Sequence, residues 1–387
     1  MRTLRFLAAV VVVWTGYQVS IAAQNAPPSP APAKTGVNPE HERLKSDAEN
    51  AYQNGEFPKA IELTTRVLTQ SPKDHVALYL RASSRVELGQ MRRDLKDVRG
   101  GIEDAREAMR HGGTDQINYY LPYFYGMSTL AQMENRKEHA DVVVTFASQI
   151  LVRTNIKPDD RANLLYQRAA AYLFQRNLEA ASKDYEAAIK LVPGHVGARL
   201  GLADCFIQMK KLDQAEAAFT SAAEAVPNNP LVFNNRGMFY QQQGKTQNAI
   251  ADFSRAIELD AEYAVAYTNR GFASMAEGNL VAAENDFSSA LKLDPAQPLV
   301  YSLRGTARLS QGNAKAAMED YTQVLQIDSK NPIAHVDLGF AKYFAGDFPG
   351  AAAAFDQAVT IEANLRYVLP WRYWALIKAG QGGVAET

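Results

Sequence analysis

From residue 162 to residue 365 the apolar and small positions repeat every 34 residues. Ala181, Ala215, Ala249, Ala283, Ala317 and Ala351 share one column, and Tyr185, Phe219, Phe253, Phe287, Tyr321 and Phe355 share another four residues later. Ala169, Ala203, Gly237, Gly271, Gly305 and Gly339 form a small-residue column upstream of these, and Gly244, Gly278, Gly312 and Gly346 form a glycine column between the two sets. Each period reads as two helices. Small residues let the helices of a pair approach closely, and the aromatic fills the space the packing leaves. Glycine in the middle permits a positive φ at the end of the first helix. Pro193, Pro227 and Pro295 stop second helices, with Ala261, Ser329 and Ala363 in that place elsewhere.

Six regular units therefore occupy 162–365. Residues 41–161 hold two to three irregular ones. Gly55 and Gly89 are again 34 apart, and Ala48, Ala60 and Pro72 fit the first unit. In the second, which starts near His75, Gly101, Ala105 and Ala108 arrive seven residues late, which predicts an insertion around Met91 to Arg99. A third, degenerate unit runs from Gln116 to Lys157 with Gly126 and Ala140 in its small columns. Residues 366–387 begin RYVLPWRYWALIKA, too apolar for a free tail, and predict a capping helix with Pro370 near its start.

These columns resemble the tetratricopeptide repeat family. The resemblance implies an all-α, right-handed α-solenoid of helix-turn-helix units, with first helices lining an inner groove in which peptides lie. Carried onto this chain, the groove candidates are Asn234, Asn235, Met238, Gln241 and Gln242, then Thr268, Asn269, Phe272 and Met275, then Ser302, Thr306 and Leu309, then Asp337, Phe340 and Tyr343. Asn235 and Asn269 share the column that the family often uses to hold a peptide backbone, since an amide donates and accepts at once. The family's carboxylate clamp of inward Lys and Arg is not matched. A secondary candidate is the run Tyr119, Tyr120, Leu121, Pro122, Tyr123, Phe124, Tyr125, with more aromatics than one helix face buries.

The repeats also compare with one another. Arg168, Arg236, Arg270 and Arg304 precede the small residue of the first helix, and Asp184, Asp252, Asp286 and Asp320 follow sixteen residues later. In the two regular units without Arg, Leu202 and Leu338 meet Ala218 and Ala354. Charge goes with charge and apolar with apolar, so the expectation is an Arg–Asp bridge inside each pair, and Arg81 with Asp104 across the insertion. These charges read as framework, because guanidinium meets carboxylate with two hydrogen bonds.

Composition narrows the function. With 41 basic and 42 acidic side chains the chain has no bulk attraction for nucleic acid. One cysteine, Cys205, excludes an internal disulfide and lies on an apolar helix face as a core thiol. The six histidines stand at no metal-ligand spacing, and no phosphate loop, nucleophile elbow or His-Glu-x-x-His pair occurs. The expectation is a non-enzyme without cofactor or metal that binds a protein or peptide.

Arg2 and Arg5 before the apolar run Phe6 to Trp14, with Ser20-Ile21-Ala22-Ala23 after it, read as a signal peptide over 1–22. The Pro/Ala-rich stretch 23–40 reads as a tether. The protein is then an exported bacterial scaffold or adaptor, periplasmic or secreted. The alternative is a membrane-tethered assembly factor that keeps 1–22 as an anchor, the sole source of membrane contact.

Overall fold

The computed structural model describes residues 38–112 and 117–381. The expected signal peptide and all but the last three residues of the expected tether lie outside the described residues. The described chain is all-α. In chain order the helices are α1 (Pro39–Gln53), α2 (Phe57–Gln70), α3 (His75–Arg92), α4 (Leu95–Gly112), α5 (Tyr120–Glu134), α6 (Lys137–Leu151), α7 (Pro158–Phe174), α8 (Leu178–Leu191), α9 (Val196–Gln208) and α10 (Leu212–Ala225). They continue with α11 (Pro230–Gln242), α12 (Thr246–Leu259), α13 (Ala264–Ala276), α14 (Leu280–Leu293), α15 (Pro298–Ser310), α16 (Ala314–Ile327), α17 (Pro332–Ala345), α18 (Phe348–Ile361) and α19 (Leu369–Lys378). Odd helices up to α17 are first helices and even ones second helices. A short 3-10 turn, Ala363–Val368, leads into α19. Two compact units meet in sequence between Pro227 and Asn228.

In the C-terminal unit the repeat columns have direct physical causes. A Cβ added to Gly237, Gly271, Gly305 or Gly339 would lie 2.7, 2.8, 2.9 and 2.6 Å from the rings of Phe253, Phe287, Tyr321 and Phe355. No side chain fits between helices that close. At the turn, Gly244, Gly278, Gly312 and Gly346 have φ of 71–86°, the left-handed region that ends a helix. The matching positions of the N-terminal unit, Arg176 and Lys210, adopt φ of 65° and 60° without glycine. Backbone hydrogen bonds close these turns, from Asn177 N–H to the Tyr172 carbonyl and from Lys211 N–H to the Phe206 carbonyl, both at 2.9 Å.

The expected insertion is not a separate segment. α3 and α4 are both 18 residues long, against 13 and 14 in a regular pair such as α13 and α14. α3 is thus five and α4 four residues longer, about one turn each, which preserves the facing sides because a turn takes 3.6 residues. Gly89, expected at the turn, therefore sits inside α3 against Val98, and Arg93 makes the turn at φ 54°. The C-terminal helix forms as expected, with Pro370 in its first turn. Its buried residues Ala375 and Leu376 join Val336, Ala351, Phe355 and Ala358 in one core.

Candidate functional site

The charged columns are framework. Arg168 Nε and Nη2 donate to Asp184 at 2.6 and 2.8 Å, and Arg236 to Asp252 at 2.7 and 2.7 Å. Arg270 donates to Asp286 at 2.9 and 2.7 Å and Arg304 to Asp320 at 3.1 and 2.7 Å, and Arg81 reaches Asp104 at 2.8 and 2.7 Å across the lengthened pair. Each bridge ties a first helix to its own second helix. The third guanidinium nitrogen reaches back to the preceding second helix, from Arg270 to Ser254 Oγ and from Arg304 to Ser288 Oγ, both at 3.1 Å. Arg168 does the same to Ser148 at 2.9 Å. This hydroxyl column lies sixteen residues before Arg270 and Arg304, at Ser254 and Ser288, and goes beyond the sequence expectation. Arg85 and Arg308 add a second guanidinium to Asp104 and Asp320. Tyr267 and Tyr301, three residues before Arg270 and Arg304, lie under their guanidinium groups at 5.8 and 5.6 Å.

The asparagine column differs from expectation. Asn235 is 3% and Asn269 2% exposed. Asn235 Nδ2 donates to the Leu231 carbonyl at 2.7 Å in its own helix, and Asn269 Nδ2 donates to Asn234 Oδ1 at 2.9 Å on the neighbouring first helix. An amide buried in this way joins α11 to α13 instead of facing a ligand. Thr268, also buried, donates to the Ala264 carbonyl, and Met238 is buried beside Asn234. Asp337 is buried. Ser302, Thr306, Phe272 and Phe340 are half-buried.

What remains accessible lies one turn further along each first helix. Gln241, Met275, Leu309 and Tyr343 form one half-buried column, and Gln242, Ala276, Ser310 and Phe344 an exposed one beside it. None of these eight residues is charged. Phe344 is 62% exposed. At the C-terminal end Trp371 of α19 packs on Phe340 and Tyr343, with ring centroids 5.3 and 5.5 Å apart, so those two candidates are partly covered by the capping helix.

The secondary candidate is core. Tyr119, Tyr120 and Tyr123 are all buried. Tyr119 meets the rings of His75 and Tyr79, and Tyr120 and Tyr123 both pack on Phe146. The neighbouring Tyr125 instead donates its hydroxyl to Gln90 Oε1 and lies 3.4 Å from Glu87. Glu87 is 1% exposed, its Oε1 has no partner, and burial pushes its carboxyl up to about 8. No repeat column pointed to it.

Cys205 is fully buried and burial pushes its thiol up to about 12, so it is held as a thiol. His195 caps α9 by accepting from the Ala198 amide at 3.1 Å, and burial lowers it to about 4. Among the described residues no group of three His, Cys, Asp or Glu is placed to hold a metal, and no helix is long and apolar enough to cross a membrane.

Family models described as tetratricopeptide repeat match residues 166–230, 230–263, 275–332 and 308–368. A curated relative, peptidyl-prolyl cis-trans isomerase D of Cryptococcus neoformans, is 36% identical over 58 residues, 15% of this chain and 16% of the isomerase. The match thus spans under a fifth of that relative's length. Among solved structures, PilF of Pseudomonas aeruginosa is 21% identical over 53% of this chain and 94% of its own, with a TM-score of 0.46. MamA is 24% identical over 43% of this chain and 92% of its own, with a TM-score of 0.41. Together these models cover 166–263 and 275–368, and the chain belongs to the tetratricopeptide repeat family.

Proposed function

We propose that this protein is a non-catalytic scaffold that holds a protein partner on the inner side of the first helices of its C-terminal unit. One observation carries the reading. The deep row of that side is closed by internal hydrogen bonds, while the accessible row beside it runs through four successive first helices without a charge. Gln241 and Gln242 make its start polar, and Met275, Leu309, Tyr343 and Phe344 make the rest apolar. Such a row suits an uncharged, partly hydrophobic segment, with the aromatic end as anchor. The Arg and Asp columns contribute no specificity, because each carboxylate already accepts from its own arginine.

Export through residues 1–22 belongs to the same proposal, and the mature chain then begins near Ala23 or Gln24. N-terminal sequencing of the protein from fractionated cells tests this. A chain that keeps Met1 in the membrane fraction favours the tethered assembly factor.

The binding face is tested by affinity capture from cell-envelope extract with wild type and with Met275→Glu, Leu309→Glu and Phe344→Glu combined. Proteins retained by wild type should be lost from the variant while helicity is kept. Identical retained sets would remove this face as the binding site.

A further inference from the structure

The outer face of the last described helix departs from the rule that the other described pairs obey. α19 docks as a first helix: Arg372 stands 68 residues after Arg304 in the arginine column. Its Nε donates to Asp356 Oδ1 at 2.5 Å, sixteen residues back, where Arg270 and Arg304 reach Ser254 and Ser288. The next position, 373, belongs to the column of Gly237, Gly271, Gly305 and Gly339, yet it holds tyrosine. In every pair with that glycine the next second helix lays an aromatic ring against it. At Tyr373 the space is already filled, so a helix packed in the manner of the chain's own second helices cannot sit there.

The exposed half of α19 consists of Leu369, Pro370, Tyr373, Trp374 and Ile377, with Lys378 at its end. Trp374 is 54% exposed, and Tyr367 in the preceding turn 59%. Leu369, Tyr373 and Ile377 fall four apart and form a ridge of the kind that enters the groove of another helix. Residues 363–378 carry Arg366, Arg372 and Lys378 and no carboxylate. Arg366 and Lys378 are exposed at the two ends of the ridge, with Arg372 turned to Asp356.

We propose that this ridge docks an amphipathic helix of another protein, apolar on one side and flanked by carboxylates. The basic ends select the charge of the occupant. A second copy of this chain fits less well, because two antiparallel α19 helices would set Arg366 against Lys378 twice. The site is separate from the inner row of the proposed function, so either stands if the other fails.

The test uses the intact protein and two labelled 15-residue helical peptides, identical on a leucine face but flanked by glutamates in one and lysines in the other. Fluorescence anisotropy should show saturable binding of the glutamate peptide and at least tenfold weaker binding of the lysine peptide. Trp374→Ser and Tyr373→Ser should each weaken the glutamate peptide at least tenfold with the melting temperature unchanged. Arg366→Glu with Lys378→Glu should invert the preference. Equal affinity for both peptides, or full affinity in Trp374→Ser, would overturn the proposal. So would self-association of wild type that Trp374→Ser abolishes, which assigns the ridge to a second copy. Binding that appears only after residues beyond Gln381 are removed would assign it to this chain's own tail.

Discussion

The first and last described helices turn opposite chemistry to water. α1 turns Glu40, Arg43, Ser46, Asp47, Asn50 and Gln53 to water and buries Ala48, Ala51 and Tyr52 against the units that follow. α19 buries Val336's neighbours Ala375 and Leu376 and leaves Leu369, Tyr373, Trp374 and Ile377 outside. The outward side of α1 is polar, the kind of surface that keeps the end of a solenoid soluble. The apolar outer face of α19 is therefore a feature of that end and not of the repeat, and it is where a partner's contribution is to be sought.

Substitutions that compare the interior of the array with its ends sharpen this contrast. The largest effect belongs to Asp320, 1% exposed and shared by Arg304 and Arg308. Asp320→Ala should cost about 3–5 kcal/mol in chemical denaturation, because two guanidinium groups lose a buried partner. The N-terminal unit carries a different liability in Glu87. Its carboxyl is neutral in the folded protein up to about pH 8 and ionised in the unfolded chain above about pH 4.5. The folded state thus holds one more proton across that window, and its stability falls as pH rises through it. Glu87→Gln should match wild type near pH 4 and exceed it by roughly 2 kcal/mol at pH 9, read from melting curves at the two values. The terminal pair Arg372–Asp356 is half open, and Asp356→Ala should cost about 0–1 kcal/mol. Smallest of all, Asp47→Ala on the outside of α1 and Trp374→Ser on the outside of α19 should each change stability by less than about 0.5 kcal/mol. A large loss on Trp374→Ser would show that α19 is covered in the folded protein, and the contrast between the ends would disappear.

Much of this was legible in the sequence because the repeats act as their own alignment. The sixteen-residue spacing could be read from six units, four with Arg and Asp and two with Leu and Ala, and the structure shows why it is strict: the two positions face each other across one helix pair. The tyrosine at 373 was legible in the same way, as the one large residue in the glycine column. Where a feature occurs once, the sequence had no comparison to offer. Glu87 has no counterpart in the regular units, and the Tyr125 hydroxyl that approaches it comes from the least regular pair. The asparagines depart from expectation for another reason. Column spacing tells which side of a helix a residue occupies but not whether its amide finds a carbonyl four residues back or a neighbour's side chain first, as Asn235 and Asn269 do. Gly89 kept the 34-residue spacing while the turn moved four residues on to Arg93, because α3 lengthened without changing its facing side.

The proposed inner row recognises a partner through uncharged residues only where the Arg and Asp columns of the pairs are framework. A double-mutant cycle on Arg270→Leu and Asp286→Ala tests this directly. The two groups meet in two hydrogen bonds inside one pair, so their coupling should be about 2 kcal/mol, while Arg270→Leu with Asp320→Ala should be additive within about 0.5 kcal/mol. The Arg270/Asp286 double variant should be more stable than either single one, since Leu202 and Ala218 already occupy these columns in another unit. Additivity of Arg270 with Asp286, or equal coupling of Arg270 to Asp320, would contradict the account.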